Sequence, residues 1–156
     1  EVERLWRTRK ALSPALRNVA PKKINEDVVV PVSRIPDLIE ELGRLSRQHG
    51  VQIVNFGHAG NGNIHVNLLT DPDDAGKMAR AHACLSDLFD LVLELGGTLS
   101  GEHGIGLEKR AFVAREIEPA TLALMRGIKQ TFDPRNILNP GKGLPPVPTA
   151  PSVGPD

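Results

Sequence analysis

The sequence has little of several residue types on which particular functions depend. Its 156 residues include one cysteine, one tryptophan and no tyrosine, and 19 basic side chains balance 19 acidic ones. A single cysteine excludes an internal disulfide. A chain with neither net positive charge nor many aromatic side chains is poorly suited to bind nucleic acid. No apolar run reaches the length of a membrane span or a signal-peptide core. These absences predict a cytoplasmic protein, either free or peripheral to the inner membrane.

Two glycine-rich segments contain three of the five histidines. The first is GHAGNGNIHVN at residues 57–67, and the second is SGEHGIG at residues 100–106. From position 63 onward polar and apolar residues alternate, which places His65 and Asn67 on one side of a strand. Glycines at positions 60 and 62 allow a sharp turn before that strand. We therefore expect His58 to return to the neighbourhood of His65.

These segments also predict a metal site. His58, His65 and Glu102 would form a set of two histidines and one carboxylate if the second segment reaches the first. Neutral imidazoles and a carboxylate bind a divalent ion and leave positions open for water or substrate. A closed structural zinc site usually includes cysteine, and Cys84 lies in a helical pattern far from the cluster in the sequence. The alternative is that the histidines are hydrogen-bonded to backbone and the glycines serve only the turns.

The order of predicted elements is strand, helix, strand, strand, helix, strand, with extra helices at both ends. This order is typical of an α+β, ferredoxin-like fold, an antiparallel sheet with helices packed on one face. The predicted strands cover residues 23–32, 51–56, 63–69 and 98–100, and predicted helices begin near residues 1, 36, 74, 107 and 119. In the last helix we expect a buried face formed by Leu122, Met125, Ile128 and Phe132. Residues 1–144 are expected to form one domain, and the proline-rich tail at 145–156 is expected to be disordered.

Three longer motifs resemble a known family. They are FGHAGNGNIHVN at residues 56–67, GTLSGEHGIG at 97–106 and FDPRNILNPGK at 132–142. Together they resemble the C-terminal domain of FAD-linked 2-hydroxy acid oxidases and dehydrogenases of the vanillyl-alcohol-oxidase type. That family includes glycolate oxidase, D-lactate dehydrogenase and D-2-hydroxyglutarate dehydrogenase. The resemblance implies that a separate N-terminal domain, absent from this chain, holds FAD, and that residues 1–144 are the cap and substrate domain.

The resemblance also implies roles for particular residues. His58, His65 and Glu102 would bind a divalent metal, with zinc as first choice and manganese as second, and His103 would be the general base. The remaining implied roles are substrate binding for Arg9, Ser13 and Asn67, and proximity to the flavin for Asn139 and Lys142. A substrate-binding lysine of some members is not matched, because Asn25 occupies its place. Its absence argues against a dicarboxylate substrate.

The implied function is oxidation of a small D-2-hydroxy acid, of the D-lactate or glycolate type, to the 2-oxo acid. The implied partners are that acid, the FAD-binding domain, an electron-acceptor protein or quinone, and a second copy of the chain in a homodimer. Two other functions remain open. A metal-dependent hydrolase would use the same ligands on a bound water and would act without flavin. A non-catalytic module for small acids would bind its ligand without metal and without Glu102.

Overall fold

The computed structural model describes residues 2–146, which form two compact units. The first unit ends at His103 and the second begins at Gly104. The first contains helix α1 (Val2–Ala15), strand β1 (Lys22–Val29), helix α2 (Ile35–His49), strands β2 (Gln52–His58) and β3 (Asn63–Thr70), and helix α3 (Ala75–Glu94). The second contains helices α4 (Val113–Glu116) and α5 (Pro119–Phe132).

The three strands form an antiparallel sheet in the order β1-β3-β2. In the central strand β3, Ile64, Val66 and Leu68 are buried and share one face, as the alternating pattern predicts. Helices α2 and α3 pack against this sheet and against each other. Thr98 forms an isolated antiparallel β-bridge with Val29 at the outer edge of β1. This bridge lies where a ferredoxin-like sheet has its fourth strand. The predicted α+β fold is confirmed.

The helices of the first unit begin and end where local signals place them. Pro36 lies in the first turn of α2, and Gly50 follows its end with a left-handed φ of 61°. The side chain of Asp74 caps α3 by accepting a hydrogen bond of 2.9 Å from the backbone N–H of Lys77. The core between helices and sheet contains Leu38, Leu42, Leu45, Leu88, Phe89 and Val92, all buried.

Two predicted elements differ from the structure. The predicted strand at 98–100 is only an isolated bridge, because the chain turns away at Gly101 and its backbone N–H groups bond to a side chain there. The predicted helix near residue 107 is a series of turns, and helix begins only at Val113. Gly104 and Gly106 adopt φ values of 74° and 54°, which are incompatible with a helix start at that point.

The predicted buried face of α5 is wrong for three of its four residues. Leu122 is buried, but Met125, Ile128 and Phe132 are exposed, Phe132 to 81%. A helical period identifies an apolar stripe, whereas burial also requires another element to cover it. In the described part of the chain, no helix is long and apolar enough to cross a membrane. The predicted disorder of the tail falls mostly on residues 147–156, which lie outside the described residues.

Candidate functional site

The turn between β2 and β3 brings the first two histidines together. His58 is the last residue of β2, and His65 lies two residues into β3 on the same face of the sheet. Gly62 has a φ of 80°, and a Cβ atom at this position would lie 2.0 Å from the carbonyl oxygen of Val30. Only glycine fits such a position without displacing the backbone. The two imidazole rings consequently lie 5.5 Å apart, edge to face.

Glu102 completes this cluster, as the sequence predicts. Its Oε1 lies 3.2 Å from Nε2 of His65, and its Oε2 lies 3.9 Å from Nε2 of His58. One ligand atom from each of the three residues can be chosen so that all lie within 4.8 Å of one another. Tetrahedral zinc with bonds of about 2.0–2.1 Å needs ligand atoms roughly 3.3 Å apart. The three ligand atoms lie within 4.8 Å of one another, so the side chains could hold a divalent ion once they move closer together.

His103 joins the cluster on the other side of His65. The two rings are stacked with centroids 5.3 Å apart and an interplanar angle of 26°. The Nε2 atom of His103 lies 3.7 Å from Oε1 of Glu102, and its Nδ1 lies 3.5 Å from Oδ1 of Asp27. Glu102 and His103 thus reach the same site although they are consecutive in the sequence.

Asp27 is a site residue that the sequence alone did not reveal. It lies on β1 opposite His65 in the strand register and is completely buried. Its Oδ2 atom accepts hydrogen bonds from three successive backbone N–H groups, those of Gly101, Glu102 and His103. The alternating pattern of β1 could have placed Asp27 on the inner side of the strand, but only the pairing of β1 with β3 places it beneath the cluster.

The environment of His65 favours its neutral form. Burial is the main effect that lowers the pKa of His65, and the neighbouring His103 and His58 lower it further, whereas Glu102 and Asp27 oppose these effects. Neutral imidazole is the form that binds a metal, because its second nitrogen then has a free lone pair. His65 therefore remains available as a ligand at neutral pH.

A cavity of about 280 Å³ opens beside these histidines. It is lined by Arg9, Lys10, Leu12, Ser13, Phe56, Gly57, His58, His65 and Glu102. The two basic side chains come from α1, and an Nη atom of Arg9 lies 3.4 Å from both ring nitrogens of His58. Two cations in the wall of a small cavity favour a small anionic ligand.

Ser13 and Asn67, the other predicted substrate residues, are linked by a lysine. The ammonium group of Lys23 donates hydrogen bonds of 2.7 Å to Oγ of Ser13 and 2.8 Å to Oδ1 of Asn67. Asn67 is completely buried, and its side-chain nitrogen donates to the carbonyl oxygen of Val54. Burial, together with nearby Arg17, lowers the pKa of Lys23. The family resemblance places the substrate-binding lysine at the position of Asn25. Lys23 lies two residues earlier, and so its side chain is on the same side of β1.

The predicted flavin-facing residues belong to the second unit. The ammonium group of Lys142 donates a hydrogen bond of 3.3 Å to Oδ1 of Asn139, and Asn139 has a left-handed φ of 50°. Their role towards a flavin stays a prediction. Cys84 is buried in α3, as a core residue is, and burial raises the pKa of its thiol to about 11.

Comparison with known families decides where the chain belongs. Residues 1–143 match the family described as "FAD linked oxidases, C-terminal domain". The chain is a member of this family. The FAD-linked oxidase C-terminal domain thus covers almost all of the described residues, including every residue of the candidate site.

Curated relatives of this FAD-linked oxidase domain agree with the assignment. The glycolate oxidase subunit GlcD of Bacillus subtilis is 36% identical over 138 residues, which are 88% of this chain and 29% of the relative. A probable mitochondrial D-lactate dehydrogenase of Danio rerio is 38% identical over 143 residues, 90% of this chain and 29% of the relative. A D-2-hydroxyglutarate dehydrogenase of Stutzerimonas stutzeri is 33% identical over 147 residues, 91% of this chain and 31% of the relative. The chain spans less than a third of each relative.

A solved structure supports the fold. The 4-ethylphenol oxidase of Gulosibacter chungangensis, in complex with isoeugenol, superposes with a TM-score of 0.59 at 22% identity. The match covers 79% of this chain and 24% of the oxidase. At this level of identity the likeness concerns the fold alone.

Proposed function

We propose that this chain is the substrate- and metal-binding part of an FAD-dependent oxidoreductase that oxidises a small D-2-hydroxy acid to the 2-oxo acid. The substrate would be of the D-lactate or glycolate type. The observation that carries this proposal is the convergence of His58, His65 and Glu102 at a cavity of about 280 Å³ whose wall contains Arg9 and Lys10. The names of the relatives, which refer to glycolate, D-lactate and D-2-hydroxyglutarate, support the substrate class.

The three clustered side chains would hold the metal, with zinc as first choice and manganese as second. Two imidazole nitrogens and one carboxylate oxygen suit either ion and leave room for substrate oxygens. A divalent ion held by these residues would supply Lewis-acid chemistry that makes a substrate hydroxyl easier to deprotonate. Three protein ligands, rather than four, are typical of a catalytic site.

The other residues would bind the acid and accept its proton. Arg9 forms a charge-assisted hydrogen bond with the substrate carboxylate, and Lys10 adds a second positive charge at the same wall. Lys23 holds the side chains of Ser13 and Asn67 in fixed orientations. His103, stacked on His65, accepts the hydroxyl proton.

The rest of the protein would supply the electron acceptor. When bound by another domain, FAD would supply the hydride-accepting chemistry that oxidation of the α-carbon requires. The final electron acceptor would be an acceptor protein or a quinone. A homodimer and a location in the cytoplasm, free or peripheral to the inner membrane, complete the proposal.

Two variants test the assigned roles in the protein that contains this chain together with its FAD-binding domain. Glu102→Gln should lose bound metal and flavin reduction together, because it removes a charged ligand. His103→Ala should retain metal but reduce the flavin roughly 10²–10⁴-fold more slowly, the usual effect of losing one general base. His82→Ala, which removes an exposed histidine of α3, is the matched control and should change neither quantity.

Metal content, melting temperature and the rate of flavin reduction by D-lactate and glycolate should be measured on all three variants. A His103→Ala enzyme that contains metal and reduces its flavin at the normal rate would remove His103 from the mechanism. Normal metal content in Glu102→Gln would show that Glu102 is not a ligand, which would contradict the proposed ligand set.

A further inference from the structure

The carboxylate of Asp27 occupies an unusual position beneath the candidate metal site. The residue is completely buried, and its Oδ2 atom accepts the backbone N–H groups of Gly101 at 2.8 Å, of His103 at 3.0 Å and of Glu102 between them. Three successive N–H groups that point at one anion form a concave turn of the backbone. These three bonds satisfy a carboxylate oxygen that is buried away from water.

This turn solves a geometric problem at the site. In extended backbone, consecutive side chains point to opposite sides, so Glu102 and His103 could not both face His65. In the structure Oε1 of Glu102 lies 3.2 Å from Nε2 of His65, and the His103 ring stacks on the same imidazole. The gathering of three N–H groups on Asp27 is the interaction that bends the segment and directs both side chains to one side.

A second contact limits where this segment can lie. A Cβ atom added to Gly101 would lie 2.6 Å from Oδ1 and 2.7 Å from Cγ of the Asn63 side chain, which is itself buried. The segment therefore lies against β3 at a residue that has no side chain. Asp27 from β1 and Asn63 from β3 together determine the position of Gly101, and hence of Glu102.

We propose that Asp27 is a positioning residue for the metal site, and that its buried carboxylate holds Glu102 in the orientation that a ligand requires. This inference rests on the proposed metal site of His58, His65 and Glu102. In this role Asp27 is not itself a metal ligand, because its Oδ2 acts on the backbone of residues 101–103. Its Oδ1 also lies 3.5 Å from Nδ1 of His103, which is not one of the three proposed ligands. Partners of this kind, one step outside the ligands, typically contribute 10–100-fold to metal affinity.

The test compares Co²⁺ and Zn²⁺ affinities of the unaltered chain, Asp27→Asn and a matched control. Asp27→Asn keeps the size of the side chain but replaces a charged acceptor with a neutral one, which roughly halves the strength of each bond. The control is Asp133→Asn, because Asp133 is also buried and accepts backbone N–H groups from Ile137 and Leu138, at 2.9 Å each, within the second unit. Circular dichroism establishes that each variant is folded at the temperature of the titration.

We expect Asp27→Asn to bind Co²⁺ about 10–100-fold more weakly and to change the visible absorption of the bound ion, while Asp133→Asn binds as the unaltered chain does. Equal affinity and spectrum in Asp27→Asn would overturn the positioning role, even if its melting temperature falls. Failure of the unaltered chain to bind any metal would instead contradict the proposed function, and the positioning role with it.

Two further measurements apply if Asp27→Asn does not fold. Gly101→Ala should weaken Co²⁺ binding as well, because its Cβ displaces the same segment without altering the carboxylate. In the unaltered, metal-free chain, the amides of Gly101, Glu102 and His103 should exchange with solvent more slowly than those of an open loop, although these residues are exposed. Fast exchange of the three amides would overturn the inference.

Discussion

Replacement of Lys23 with methionine removes an ammonium group that donates hydrogen bonds to two predicted substrate residues. In the structure its ammonium group donates to Oγ of Ser13 at 2.7 Å and to Oδ1 of Asn67 at 2.8 Å. Methionine has a similar length and fills the same space without a donor. The variant therefore tests the hydrogen bonds with little change in packing.

The magnitude follows from the different surroundings of the two acceptors. Ser13 is partly exposed, so its hydroxyl can bond to water in the variant. Asn67 is completely buried, and an acceptor left there without a partner costs about 1–3 kcal/mol. Burial disfavours the charged form of Lys23 and lowers its pKa. Replacing the ammonium group with an uncharged side chain removes this unfavourable burial of charge, which offsets part of the cost of the unpaired Asn67 oxygen. We therefore expect the free energy of unfolding to fall by about 1–2 kcal/mol, the lower part of that range.

Urea denaturation followed by far-ultraviolet circular dichroism measures this change. Lys22→Met is the matched control, because Lys22 precedes Lys23 on the same strand and is exposed. A substitution of such a surface residue usually changes stability by less than about 0.5 kcal/mol. If the two variants were equally stable, the hydrogen bonds from Lys23 to Ser13 and Asn67 would not contribute as described.

Three other predictions concern a turn, a thiol and the flavin. Gly62→Ala should destabilise the chain by roughly 1–3 kcal/mol or more, because φ is 80° and the new Cβ would clash with the carbonyl oxygen of Val30. Gly60→Ala should not destabilise the chain, because there is open space around Gly60. Thermal unfolding of both variants measures the difference. Cys84, with a thiol pKa raised to about 11, should resist alkylation at pH 8 until urea unfolds the chain, and rapid labelling of folded protein would contradict its burial. The chain alone should bind no FAD and oxidise neither D-lactate nor glycolate, because it contains neither a dinucleotide fingerprint nor a phosphate loop; a yellow, active preparation would show otherwise.

The sequence was sufficient to predict which residues meet at the candidate site when the signals were local. His58 and His65 are separated by one hairpin turn, whose glycines and period-two alternation are visible in the sequence. The second glycine-rich segment was expected to reach the first and so to bring Glu102 to the two histidines. The convergence of these residues in the structure agrees with that prediction, while their binding of a metal stays a proposal.

Residues contributed by β1 were harder to predict. Lys23 and Asp27 reach the site only because β1 pairs with β3 in one register, with Asp27 opposite His65, and a single sequence does not specify that register. The exposed apolar residues of α5 illustrate a different limit. Their spacing predicts one face of a helix, but the pattern carries no information about which element covers that face.

The central claim is that His58, His65 and Glu102 form one metal site, and a zinc titration of the metal-free chain tests it most directly. We expect one zinc ion per chain, with occupancy lost in His65→Ala and unchanged in His82→Ala, whose histidine is exposed on α3. Undiminished zinc occupancy in His65→Ala would contradict the claim.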